Sequence, residues 1–154
     1  MIDHLFEPDE DRITRQFPQL KPGTNCHITS GRTPEYNCLS WVLDVTTVWM
    51  QPNDEPGFYW PDDVEREWTL QAVTKILTLA GYEKEASNPD LEEGYEKIAI
   101  FLQGTGTPEH FARQLPNGKW TSKLGTGNDI THDQLEDLLP RYGALGPILR
   151  RQRS

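Results

Sequence analysis

Cysteine is scarce in this chain, because only Cys26 and Cys38 occur among its 154 residues. Two cysteines are too few for the disulfide framework of a small secreted domain, and in a reducing compartment we expect both to be thiols. Apolar runs of the roughly 20 residues needed to cross a bilayer are missing. The first residues lack the cationic and apolar regions of a secretory signal. We therefore expect a cytoplasmic protein without a membrane partner, unless a signal-independent route exports it.

Positive charge is also in short supply. The formal net charge is −9 and the isoelectric point is about 4.8, which argues against nucleic acids and anionic membranes as partners, since both require a positive footprint. Basic residues gather only at the end of the chain, at Arg141 and from Arg150 to Arg153. We interpret this segment as a solvated tail. The oligomeric state is not indicated.

The length predicts one domain that spans residues 1–154. Its first part, residues 1–33, is rich in proline and polar residues and has no apolar period, which predicts an extended arm. Residues 34–139 form the predicted core, and residues 140–154 form the tail.

Two helices are predicted in the first half of the core. Thr33 followed by Pro34 is typical of a helix start, and the apolar spacing that follows predicts a helix over residues 34–49 with Cys38 on its buried face. The second helix is predicted from Asp62 to Gly81, because apolar residues recur there every four positions and Gly81 can end the helix.

In the second half of the core, the sequence pattern predicts an antiparallel meander of three strands. Residues 97–102 are continuously apolar, as in a strand buried on both faces. Residues 109–115 and 120–124 flank Asn117-Gly118, a hairpin signal that places Trp120 opposite Leu115. A short helix is predicted over residues 131–139. The fold class is therefore α+β, with the helices on one side of a small antiparallel sheet.

The candidate chemistry rests on Cys38 and His110. A thiol at a helix N-terminus faces unpaired backbone N–H groups and the positive end of the helix dipole, both of which favour the thiolate. His110 begins the second strand of the meander, on the same face as Ala112 and Gln114. If the fold brings the two side chains together, they form a nucleophile and its base.

Nucleophilic catalysis also needs a group that orients the base. Asp129, in the turn after the third strand, is our preferred candidate because the predicted hairpin brings it near His110. Asn128, and Ser122 or Thr121 on the partner strand of the hairpin, remain alternatives.

Metal and cofactor chemistry is not expected. Cys26-His27, Cys38, His110 and His132 are zinc-type ligands, but they come singly and not as close pairs. The glycine-rich turns at residues 104–107 and 125–127 lack the lysine and the helix of a phosphate-binding loop.

The motif YNCLSW at residues 36–41, followed by a histidine at a strand start, resembles the papain-like cysteine hydrolases, above all the bacterial CHAP and NlpC/P60 amidases and peptidases. The resemblance implies a papain-like fold with Cys38 as nucleophile, His110 as base and Asp129 or Ser122 as the orienting residue. Papain has an oxyanion-binding glutamine a few residues before its cysteine. Arg32 lies six residues before Cys38 here, which leaves Asn37 as a replacement.

The same motif and HFARQLPNGKWTSKLG at residues 110–125 also resemble an uncharacterised bacterial domain family of about this length. That resemblance covers roughly Arg32 to Leu139 and implies no activity.

The sequence thus leads to two expectations about function. The first is a cysteine hydrolase or amide transferase that acts on a protein or peptide substrate, with Asn37, Trp41 and Trp120 at the substrate and the aromatic loop Phe58-Tyr59-Trp60 beside them. The second is a non-catalytic acidic interaction module, of an antitoxin-like or adaptor kind, which binds a basic partner. In that case Cys38 is only a packed core residue.

Overall fold

The chain folds around a six-stranded antiparallel sheet with the strand order β1-β7-β6-β5-β4-β8. The computed structural model describes residues 7–83 and 88–153. The strands of this sheet are β1 (Cys26–Ile28), β4 (Tyr95–Leu102), β5 (Pro108–Gln114), β6 (Trp120–Lys123), β7 (Asp129–His132) and β8 (Ala144–Gln152). A separate parallel pair consists of β2 (Trp49–Met50) and β3 (Phe58–Tyr59). The mixed α+β class is confirmed.

Three α-helices and one 3-10 helix lie within the described residues. They are α1 (Asp9–Gln16), α2 (Cys38–Val42), α3 (Leu70–Leu79) and the 3-10 helix Leu135–Leu138. None of these helices is long and apolar enough to cross a membrane.

The sheet is buried on both faces. On β4, Ile98 and Ile100 pack into a core with residues of α2 and α3. Ala99 and Phe101 point to the other face, where they pack with residues of α1 and of the 3-10 helix. The expectation that all helices lie on one side is wrong, because a strand that is apolar on both faces needs cover on both.

The two ends of the described chain differ from the sequence prediction. Residues 9–16 of the supposed arm form α1, which has acidic residues in its first turn, Arg15 in its last and Ile13 buried against the sheet. The supposed tail is β8, which pairs with β4 along most of its length and forms an edge of the sheet. Pro147 is tolerated there because an edge strand has one side without ladder hydrogen bonds. Residues 1–6 and 154 lie outside the described residues.

Helix boundaries also move. The predicted helix over residues 34–49 shrinks to α2, whose N-cap is Asn37 and not Thr33. It ends early because Asp44 adopts a left-handed conformation with φ of 60°. The second helix starts at Leu70, with the Thr69 side chain accepting a hydrogen bond from the Ala72 N–H, and the chain leaves it through Gly81 at φ of 98°.

The end of the meander differs too. The predicted helix over residues 131–139 is replaced by the end of β7 and the 3-10 helix. In the hairpin, Trp120 pairs with Gln114 and not with Leu115. The register shifts by one residue because Leu115 and Lys119 close a loop of Pro116, Asn117 and Gly118, and not a two-residue turn.

Candidate active site

Cys38 is the first residue of α2 and is half-buried. The Asn37 side chain prepares this position: its Oδ1 accepts hydrogen bonds from the Ser40 N–H at 3.1 Å and the Ser40 hydroxyl at 2.7 Å. Its Nδ2 donates to the Met50 carbonyl at 2.7 Å. Asn37 therefore ties the start of α2 to β2, and the amide that was expected to bind an oxyanion is already engaged.

The thiol of Cys38 is neutral in this environment. Burial raises its pKa from 9.0 to about 11, although hydrogen bonds from the backbone N–H groups of Phe111, Leu39 and Cys38 itself act in the opposite direction. The sequence predicted a favoured thiolate. That prediction is wrong, because α2 has only five residues and its weak dipole does not offset desolvation.

His110 is almost fully buried, with 1% of its surface exposed. Its ring stacks on Tyr142 with centroids 4.1 Å apart and lies 5.4 Å from the ring of Phe101. Its Nε2 is buried and has no hydrogen-bond partner. Burial, and secondly the nearby His132, hold the pKa of His110 well below its usual value of 6.5, so the imidazole is a neutral base.

One cavity of about 450 Å³ joins Cys38 and His110. Cys38 lines the cavity on the side of the sheet that is covered by α2 and α3. His110 reaches it from the opposite face, on which Phe101 packs. The structure shows no hydrogen bond between the sulfur and the imidazole. However, the backbone of Phe111, the residue after His110, is close enough to Cys38 to act on the pKa of its thiol, so Cys38 lies beside the segment that carries His110.

The third group of the predicted site is engaged elsewhere. Asp129 is buried and accepts hydrogen bonds from the hydroxyls of Tyr36 and Ser30, both at 2.5 Å, and from that of Thr29. It has no bond to His110. The carboxylate therefore fastens the segment before α2 to β7, and the orienting role expected from sequence is not visible.

Ser122 and Asn128, which were alternatives for the group that orients His110, also have other partners. The Ser122 hydroxyl hydrogen bonds to His132 Nε2 at 2.8 Å, with His132 Nδ1 donating to the Gln134 carbonyl at 3.0 Å. The Asn128 carboxamide accepts from Arg12 of α1 at 2.5 Å and donates to the Ser30 carbonyl at 2.9 Å. Neither side chain is hydrogen bonded to His110.

Both tryptophans expected at the substrate are also absent from this cavity. The Trp41 indole donates to Thr121 Oγ1 at 2.9 Å and stacks on Tyr36. Trp120 is buried in the core on the α1 side of the sheet. In the aromatic loop, Trp60 is a core residue and Tyr59 is exposed.

Sequence reasoning missed several other side chains that line the cavity. Its aromatic walls are Trp49, Trp68 and Tyr142, and its polar lining includes Gln51 and Glu109. Trp68 is positioned by its indole, which donates to the Pro108 carbonyl at 2.8 Å at the start of β5. Trp68 was assigned to a helix face and Tyr142 to the tail, so no local pattern pointed to them.

A second cavity of about 660 Å³ adjoins the first, since Glu109, Gly125 and Tyr142 line both. Arg15 and Arg141 lie in this second part. We refer to these two adjoining cavities together as the groove. Within the described residues, no group of three or more histidine, cysteine, aspartate or glutamate side chains is arranged to hold a metal ion.

A family model described as a domain of unknown function, DUF7689, matches residues 27–150. The chain belongs to this family. No curated protein and no solved structure matches it. The matched region runs from β1 into β8, so the groove residues of the DUF7689 domain, apart from Arg15 and its neighbours at the end of α1, fall inside the family region.

Proposed function

We propose that the chain is a cysteine-dependent hydrolase or amide transferase of the papain-like kind, with Cys38 as nucleophile and His110 as general base. One observation carries the proposal: the half-buried thiol and an imidazole with an unpartnered nitrogen line the same cavity. Buried polar groups are normally hydrogen bonded, and an exception next to a nucleophile indicates a reaction partner that is supplied from outside.

The reaction starts from a neutral pair. The Cys38 sulfur forms a bond to the carbonyl carbon of an amide while its proton moves to His110, and the imidazolium then protonates the leaving nitrogen. This leaves an acyl thioester. Water then adds to the thioester carbonyl while His110 accepts its proton. The intermediate collapses, the carbon–sulfur bond breaks, the imidazolium returns the proton to the sulfur and the acid is released; an amine in place of water gives transfer.

The surroundings suit this sequence in two ways. The backbone N–H groups of Leu39 and Phe111 stabilise negative charge on the sulfur as it develops. Trp49 and Trp68 provide apolar walls for the substrate. A peptide, isopeptide or side-chain carboxamide in an extended segment fits the groove, and no cofactor is required.

The proposal is tested by acylation with p-nitrophenyl acetate, followed by peptide mapping. We expect an acetyl thioester on Cys38 of the native protein. Cys38→Ser should abolish this thioester, and His110→Gln should slow its formation at least tenfold. Ser122→Ala serves as the matched control. It disrupts the hydrogen-bonded pair of Ser122 and His132 and should leave the acylation rate unchanged. Acylation that appears only after denaturation would remove Cys38 as a nucleophile.

A second function is favoured by one surface feature. The segment from Asp54 to Glu67 exposes six carboxylates, accompanied by Arg66 as its basic residue. The six are Asp54, Glu55, Asp62, Asp63, Glu65 and Glu67. The segment begins where Gln51 and Asn53 line the groove.

Such a surface suits a non-catalytic module that binds a basic partner. If this is the function, native protein should bind polylysine with strong salt dependence, and replacing Asp62 and Asp63 by Asn should weaken binding. Cys38→Ser should have no effect on it. Acylation of Cys38 and binding of polylysine are separate measurements, so each function can fail without the other.

A further inference from the structure

A separate cavity of about 360 Å³ lies at the C-terminal end of α2, where Val42 and Asp44 contribute to its wall. It shares no lining residue with the cavity around Cys38. Three of its lining side chains are arginines, namely Arg113 from β5, Arg151 from β8 and Arg153, which directly follows β8. Such a concentration of positive charge is unexpected in a chain with a net charge of −9.

One carboxylate, that of Glu96, lies among the arginines and is already hydrogen bonded. Glu96 Oε1 accepts hydrogen bonds from Arg151 Nε at 2.7 Å and from the Tyr82 hydroxyl at 2.9 Å. Its Oε2 accepts from Arg153 at 3.3 Å. The hydrogen bonds from Tyr82 and Arg151 and the nearby charge of Arg113 lower the pKa of Glu96 against the opposing effect of its burial, so the carboxylate is charged.

Arg151 and Arg153 are also held by backbone groups. Arg151 donates to the Ala80 carbonyl at 2.8 Å and lies over the ring of Tyr82 at 4.6 Å. Arg153 donates to the Gln114 carbonyl at 3.4 Å. These two arginines are fixed in place around Glu96 without any ligand.

Arg113 is different. Within residues 7–83 and 88–153 its side chain has no hydrogen bond and no ion pair, and its Nε is buried. Asp44 lines the same cavity, but it is exposed and is not ion-paired with Arg113. The Arg113 side chain as a whole is partly exposed, so its buried Nε–H is the group that has lost water without gaining an acceptor. A buried donor of this kind is unfavourable unless a ligand completes it.

The charges of the lining define the ligand. Three guanidinium groups face the carboxylates of Glu96 and Asp44, which leaves a surplus of one positive charge. We propose that this cavity binds a carboxylate, which carries a single negative charge and matches the planar donor fork of Arg113. Arg153 lines the same cavity and supports the bound group, while Arg151 keeps Glu96 in place.

The test is a titration of the full chain followed through the Nε–H signals of its arginines by nuclear magnetic resonance. Sodium acetate replaces sodium chloride at constant ionic strength. We expect the Arg113 signal to shift and to saturate. In Arg113→Gln, the response of the Arg153 signal should need at least tenfold more acetate. Arg66→Gln is the matched control, because Arg66 is an exposed arginine paired with Asp54 and Asp62.

Two further arms identify the ligand. Sodium phosphate should bind more weakly than acetate at the same ionic strength, and tighter phosphate binding would overturn the carboxylate assignment. N-acetylalanine represents the C-terminal carboxylate of a peptide. If it binds at least tenfold more tightly than acetate, the natural ligand is a peptide C-terminus. If the two bind equally, the natural ligand is a free small acid. A shift that rises linearly without saturation in the wild type rejects the site, even if Arg113→Gln does not fold.

Discussion

Two regions of the molecule bring a nucleophile-type side chain near a histidine, and they differ in hydrogen bonding and in access. Ser122 and His132 are hydrogen bonded to one another and fully buried, and neither lines the groove. Cys38 and His110 are not hydrogen bonded to one another, yet they share a cavity. Both rings are neutral because burial lowers the pKa of both histidines. The comparison teaches that a satisfied pair without access is a structural element, whereas an unsatisfied pair with access is a candidate site.

The largest expected difference concerns the two histidine rings. His132→Phe leaves the Ser122 hydroxyl and the Gln134 carbonyl without partners and should lower the free energy of unfolding by about 2–4 kcal/mol. His110→Phe removes a nitrogen that has no partner and should change it by less than about 1 kcal/mol. Urea unfolding of both variants measures this. Equal losses would mean that His110 has a structural hydrogen bond like that of His132.

The same two histidines should make the protein sensitive to acid. In the unfolded chain a histidine has a pKa of about 6.5, whereas burial lowers the pKa of His132 in the folded chain to about 4. Stability is therefore complete above pH 7 and falls as the pH drops between these two values, by about 3 kcal/mol for His132. Thermal melts from pH 7.5 to 5.0 measure the decline. In His132→Phe the decline should be shallower, and an unchanged slope would assign it to other groups.

The third prediction concerns the reactivity of Cys38 in the resting protein. With a pKa of about 11, its thiolate fraction at pH 8 is small, and the greater nucleophilicity of a basic thiolate compensates only in part. Iodoacetamide should alkylate it about twentyfold more slowly than free cysteine. Peptide mapping separates Cys38 from Cys26. Alkylation as fast as that of free cysteine would mean that the cavity lowers the pKa of the thiol.

The smallest expected effect is that of Ser122→Ala. The loss of the hydroxyl leaves His132 Nε2 buried without a donor and should cost about 1–2 kcal/mol of unfolding free energy. Thr126→Ala, at an exposed position in the following turn, is the control and should have almost no effect. Urea unfolding compares the two. A neutral result for Ser122→Ala would show that a water molecule replaces the hydroxyl.

The central strands were predictable because their signals are local. The apolar run from Lys97 to Leu102 and the Asn117-Gly118 turn predicted β4, β5 and β6 within a few residues. The one-residue register error arose because Pro116 joins the loop, which no period reveals. Strand β8 was missed because its residues are arranged by pairing with β4, a partner about 50 residues away in the chain.

For the candidate site, the sequence identified Cys38 and His110, and the structure places both at one cavity. It did not identify Trp49, Trp68, Tyr142 or Glu109, because these come from separate elements whose positions depend on packing. Asp129 was expected beside His110 from strand register. A carboxylate bonds to the nearest donors, and these are hydroxyls of the segment before α2.

The sequence by itself determined what depends on neighbouring residues: the buried central strand, the net charge and the presence of a thiol and an imidazole on suitable elements. Tertiary structure alone decided which polar groups find partners and which remain unpaired. It also decided the protonation states of Cys38 and His110, since desolvation depends on every element that packs around a group. Tertiary structure likewise decided the surroundings of Arg113, which come from α2, β4 and β8 and meet only in the folded domain.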